Sequence, residues 1–244
     1  MKAKTAWLIA AVIAAVVAVV LLVVLLPKNE VPKGEPEPVI ETPDPEQDPE
    51  PADPFSIAGH KWVDMGTGIK WATTNIGANA PEEGGDFFSW GETATREVYD
   101  WKHYSNGVSS SEGGYDTKKS ILSGRNLKKE YDAASQLWGE SWRMPTSEEM
   151  SALLRGCTST WTTINGVNGY LLKSKTTDGE IFFPAAGFME GSKLKYAGTH
   201  AYVWSSTDFG EGNAHLLYMK VNTRLQVGCY FECCYGHNIR PVSD

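Results

Sequence analysis

Residues 61–78 read KWVDMGTGIKWATTNIGA, two short runs of alternating apolar residues broken by Gly66-Thr67-Gly68. Alternation with period two, interrupted by a glycine pair, predicts strand, turn, strand. Working outward from this hairpin, two helical signals follow. Asp132 can accept from the first free backbone N–H groups of a short helix over 133–138. Thr146 and Glu149 have the spacing of a capping box, with Pro145 holding the entry non-helical, so a second helix runs through Leu153 and Leu154 and stops at Gly156. After Cys157 the pattern turns to short strands at 161–163, 169–173, 181–183, 202–205 and 215–221, separated by Gly, Asn and Asp turns. The reading is an α+β fold, two helices early and antiparallel strands late. Eight of the nine tryptophans lie in this part of the chain, and their main use is core.

The 244 residues fall into three blocks. Residues 1–26 carry two lysines and no acid, and 7–26 are uncharged and mostly apolar. As a helix, that stretch would span roughly 30 Å, the thickness of a bilayer core. The expectation is a single-pass signal anchor, with Lys2 and Lys4 cytoplasmic and the remainder periplasmic or extracellular. A cleaved signal peptide is the alternative, although its apolar region is normally shorter. Residues 27–54 hold nine prolines and nine acidic residues, a composition that predicts an extended, disordered linker. Residues 55–244 form one domain-sized block. The formal charge of −8 resides mostly in the linker; the last block is near −3 and has no cluster of Lys and Arg. Phosphate-backbone recognition needs such a cluster, so nucleic acid is excluded as a partner.

Several short motifs occur in order: Trp62-Val63-Asp64-Met65-Gly66, Lys70-Trp71-Ala72-Thr73, Pro81-Glu82-Glu83-Gly84 and Trp90-Gly91-Glu92-Thr93. They are followed by Trp138-Gly139, Trp142-Arg143-Met144-Pro145-Thr146, Pro184-Ala185-Ala186-Gly187, Trp204-Ser205-Ser206 and Ile239-Arg240-Pro241-Val242. Together, over about 60–242, they resemble the Fibrobacter succinogenes major paralogous domain, a family abundant in exported proteins of Bacteroidetes-type bacteria. The resemblance implies a C-type lectin-like fold, surface display and ligand binding. It also implies a more distant likeness to formylglycine-generating enzymes. Fold alone does not fix function.

No phosphate loop, nucleophile elbow or zinc-type helix motif is present, and the five histidines stand singly. The Glu-Pro-Asn or Gln-Pro-Asp loop of calcium-dependent lectins is missing, and Trp204-Ser205-Ser206 stands where their Trp-Asn-Asp strand would be. No metal and no cofactor are expected, and the chain reads as non-enzymatic. Trp142, Arg143, Trp204 and Arg240 are assigned structural roles. The two arginines act as latches, bonded to backbone carbonyls or a carboxylate. In an oxidising compartment Cys157, Cys229, Cys233 and Cys234 would form one or two disulfides, with three pairings open. Formylglycine-generating enzymes use a reactive Cys pair near the C-terminus, so an oxidase acting on exported peptides is the alternative function. Their Cys-Arg-Ser context is absent, and Gly-His-Asn-Ile-Arg replaces their Gly-Phe-Arg ending.

The segment 224–237, RLQVGCYFECCYGH, is crowded with Cys, Tyr, Phe, Gly and His and shows little strand periodicity. Adenine-only mutation of Asn codons yields these residue types, and retroelement-diversified C-type lectin-like proteins vary just before their last strand. A diversified binding loop is one reading; an ordinary loop with a local disulfide is the other. Either way, Tyr230, Phe231 and Tyr235 supply contact area, while Arg224, Gln226, Glu232 and His237 supply directional contacts to a protein or glycan ligand.

Overall fold

The computed structural model describes residues 53–111 and 113–244. Strands β1 (Ser56–Ile57), β2 (His60–Asp64) and β3 (Lys70–Ala72) form the hairpin region read from 61–78. Trp62 faces Ala72, and Val63 faces Trp71. The turn works because Gly66 and Gly68 take φ of 72° and 84°, which side chains resist. Small pairs follow: β4 (Gly107–Ser109) with β5 (Tyr115–Thr117), and β6 (Leu122–Ser123) with β7 (Asn126–Leu127).

Helix α1 (Ala133–Trp138) starts where the Asp132 carboxylate accepts from the Ser135 N–H at 3.0 Å. Helix α2 (Ser147–Gly156) opens on the complete Thr146/Glu149 capping box. Three antiparallel strands follow, β8 (Cys157–Ile164), β9 (Val167–Ser174) and β10 (Glu180–Pro184), and then the hairpin of β11 (Phe188–Glu190) and β12 (Lys193–Lys195). The longest strands are β13 (His200–Gly210), β14 (Asn213–Lys220) and β15 (Gln226–Glu232). With β7 and β6 they make a five-stranded sheet, in the order β15-β14-β13-β7-β6. The chain closes with β16 (Val242–Ser243), which pairs with β3 and places Val242 opposite Trp71.

The α+β expectation needs correction. Strand accounts for 43% of the structure and helix for 12%, so the fold is mainly β with two short helices. The reason is local. Glycine turns and alternating runs fill the loops expected between strands, whereas α1 has six residues and α2 ten. The expected transmembrane helix over 1–26 and most of the 27–54 linker lie outside the described residues. Among the described residues no helix is long and apolar enough to cross a membrane. Ten helical residues span about 15 Å, half of a bilayer core. The single-pass anchor read at 7–26 thus has no counterpart among the described residues.

Two clusters make the core. One gathers Trp90, Trp142, Trp204, Phe88 and Leu216; the other gathers Trp71, Met150, Leu172, Phe183 and Leu217. Four tryptophans are fully buried, each stabilising by on the order of 3 kcal/mol. Each indole N–H is satisfied. Trp90 donates to the Ser205 carbonyl at 2.8 Å, Trp204 to Phe88 at 2.9 Å, Trp142 to Ile57 at 3.1 Å, and Trp71 to the Thr67 hydroxyl at 3.0 Å.

The last residues clasp this body. His237 pairs with Phe88, Asn238 with Val203, and Val242 with Arg143. Arg143 grips Glu149 through two bonds of 2.8 and 2.7 Å and reaches Asp244 at 2.6 Å. Arg240 is fully buried. Its guanidinium donates to Asn75 Oδ1 at 2.8 Å and to the carbonyls of Ala72, Thr73 and Phe182 at 3.3, 3.1 and 2.9 Å. It also lies 4.6 Å from the centre of the Phe183 ring. Burial pushes its pKa down to about 9, so it stays charged at neutral pH.

Candidate functional site

Residues 226–232, expected as part of a loop, are strand β15, paired antiparallel with β14. The alternation is broken by a bulge. Cys229 faces Leu216 and Val227 faces Leu217, leaving Gly228 unpaired with a φ of 103°. An extra residue shifts which side chains face the core, so a period-two pattern does not survive in the sequence. β15 is also the edge of its sheet.

A cleft of about 900 Å³ opens beside β15. Its floor is the sheet face made by Cys157, Ser159 and Trp161 of β8 and by Tyr170 and Leu172 of β9. These residues share a face because Trp161 pairs with Tyr170 and Ser159 with Leu172. One wall is α2, through Ser151, Leu154 and Arg155. The other is the turn at 222–225 and the first half of β15. The Tyr170 hydroxyl pins that turn to the end of β14, with the Thr223 carbonyl at 3.2 Å and the Lys220 carbonyl at 3.0 Å as its acceptors. Three cations, Arg155, Lys175 and Arg224, line the cleft, and among the described residues no carboxylate does. All three are exposed. None forms an ion pair among the described residues. Lys175 does donate to the Arg155 carbonyl at 2.8 Å, a favourable position for a cation at the end of α2.

The segment expected to bind is spread over several surfaces. Arg224 and Gln226 line the cleft. Tyr230 points elsewhere: it is 51% exposed and stacks on Phe209 with ring centres 3.9 Å apart. Glu232 and Tyr235 border a second pocket of about 520 Å³, where Trp101 donates to Glu232 at 3.1 Å. Burial, with Glu232 adding to it, pushes the Tyr235 phenol up to about 12. Phe231 is half-buried, 5.2 Å from Tyr202 and 5.6 Å from Phe188.

His237 is a correction. It has no exposed surface and cannot meet a ligand. Phe188, Tyr202, Trp204 and Phe231 surround it, and neither ring nitrogen has a partner. Burial holds it neutral, far below the ordinary histidine pKa. A lone histidine in sequence carries no signal of burial.

The expected disulfides are not formed; all four cysteines are free. Cys157 packs in the cluster of Trp71 and Met150, whereas Cys233 and Cys234 pack with Trp90 and Trp204. Burial raises the pKa of every one of the four thiols. Nucleophilic thiols need the opposite shift. Among the described residues no group of three or more His, Cys, Asp or Glu is gathered to hold a metal ion.

Sequence reading missed Arg155, Lys175, Ser159, Trp161 and Tyr170. The available signal was the alternation at 157, 159 and 161, which puts those side chains on one face of a strand. Compared with family models, curated proteins and solved structures, the chain matches none.

Proposed function

We propose that this protein is a ligand-binding module that captures its ligand non-covalently in the cleft beside β15. The observation that carries the reading is the lining itself: aromatic floor, hydroxyl and amide groups from Ser151, Ser159, Asn222, Thr223 and Gln226, and three cations with no opposing carboxylate. Binding clefts of this kind combine apolar contact area with a few placed polar groups. The raised thiol pKa values favour this reading over the peptide oxidase. The ordered motifs over 60–242 favour membership of the Fibrobacter succinogenes major paralogous family.

Segment 224–237 also fits a diversified surface, since its side chains reach the cleft, the Phe209–Tyr230 shelf and the Trp101 pocket. A near-copy of this segment beside a reverse transcriptase gene is the expected genomic trace.

The test is a glycan and protein binding screen with the full chain, repeated with Trp161→Ala and Ser159→Trp. The first variant removes aromatic floor and the second fills the cleft. Hits should be lost in both, with the thermal midpoint retained. Hits that ignore both variants refute the cleft as the site.

A further inference from the structure

We infer that the cleft selects an acidic saccharide, a sugar chain bearing carboxylate or sulfate groups. This inference rests on the proposed binding function and adds the ligand class. Residues 55–244 carry a formal charge near −3, so a patch drawn at random from this body is expected to hold slightly more acid than base. The cleft beside β15 reverses that balance, with Arg155, Lys175 and Arg224 around it and no Asp or Glu among its described lining residues. Unpaired cations at the walls of a concave site raise the local concentration of anions and fix their position.

Charge alone would accept any polyanion. The floor narrows the class. Trp161 is half-buried and meets Tyr170 edge to face at 5.1 Å, so indole surface is left open to the cleft beside the Ser159 hydroxyl. A pyranose ring presents C–H groups on one face and hydroxyls around its edge. It therefore matches an aromatic floor framed by Ser, Thr, Asn and Gln. An acidic peptide offers the charges without that apolar face and would leave the floor uncovered. A volume of about 900 Å³ accommodates a short oligosaccharide.

The experiment uses the full chain and calorimetric titration with four probes. These are an oligogalacturonate hexamer (carboxylated), a heparin-derived hexasaccharide (sulfated), a neutral cellohexaose and an Asp/Glu hexapeptide. At least one acidic saccharide binds, the neutral one does not, and the peptide is weaker by tenfold or more. The two acidic arms separate carboxylate from sulfate recognition. The triple variant R155Q/K175Q/R224Q loses about tenfold to a hundredfold in affinity, each exposed charge contributing about two- to fivefold. Its K175Q change keeps an amide N–H to donate to the backbone carbonyl at position 155, so the end of α2 stays capped. Raising salt weakens binding to the wild type and much less to the triple variant. W161A loses acidic-saccharide affinity at unchanged salt dependence.

Equal binding of neutral and acidic sugars overturns the inference, as does a peptide that binds as tightly as the sugar. An absence of binding by both acidic sugars overturns it too. A neutral or protein ligand that W161A abolishes would sink this inference alone. Ligands insensitive to every cleft variant would sink the binding site itself.

Discussion

Replacing Arg240 with Met probes how the C-terminal clasp is held. The substitution keeps much of the stem volume and removes a guanidinium that makes four hydrogen bonds with no carboxylate partner. Hydrogen bonds from a charged donor contribute about 1.5–3 kcal/mol each, giving roughly 6–12 kcal/mol gross for the four. Burying an uncompensated charge costs several kcal/mol, and that cost disappears in the variant. The net loss expected for R240M is about 3–5 kcal/mol, in line with breaking other buried charge networks. For a domain of this size each kcal/mol lowers the thermal midpoint by about 2–4 °C, so the shift falls between roughly 6 and 20 °C. Denaturant unfolding at neutral pH, followed by tryptophan fluorescence, measures it. R240K is the companion: it retains charge but has three donors and no planar fork, so it recovers little. If R240M unfolds within about 1 kcal/mol of the parent, the carbonyl bonds only balance desolvation, and the arginine is no latch.

The remaining predictions address other parts of the molecule. His237 binds its proton far below 6.5 in the folded state, whereas the unfolded chain restores the ordinary value. Below about pH 6.5 the unfolded state therefore takes up a proton that the folded state refuses, and stability falls with a slope approaching 1.4 kcal/mol per pH unit; above it the penalty vanishes. Urea midpoints of H237F between pH 5 and 7 should lack this component, and an unchanged slope counts against the buried, neutral imidazole. Gly187→Ala should destabilise by more than about 2 kcal/mol, because its φ is 76° and an added Cβ would sit 2.1 Å from the Lys195 carbonyl; wild-type unfolding curves would contradict that crowding. Thr146→Ala removes one half of the capping box and should cost about 1 kcal/mol by the same assay. Thiol titration of the native protein should find Cys229 reacting slowly and Cys233 and Cys234 inert until denaturant is added; rapid modification of Cys233 would contradict its full burial.

Features set by neighbours in sequence were legible. The Asp132 cap, the Thr146/Glu149 box and the hairpin at 61–78 all depend on residues within a few positions, and each stands in the structure. Features set by distance were not. β15 hid because the Gly228 bulge breaks its alternation. The cleft hid because α2, the β8–β9 face and the 222–229 segment meet only in three dimensions. Arg155 reads in sequence as an ordinary cation in the last turn of a helix. His237 escapes sequence reading for a related reason: only packing against Phe188, Tyr202 and Trp204, at separate points of the chain, shows it to be interior.

The clasp made by residues 237–244 has a consequence for the lifetime of the fold. β3 gains its second neighbour, and Phe88 and Arg143 gain their bridge partners, only from residues 237–243. Pairings that span so much of the chain form slowly, and a nascent body lacking them exposes tryptophan-rich surface meanwhile. A body from which 237–244 has come away reopens that surface. Proteases and chaperones act on such openings, so the hold of this one segment sets how long each folded copy lasts.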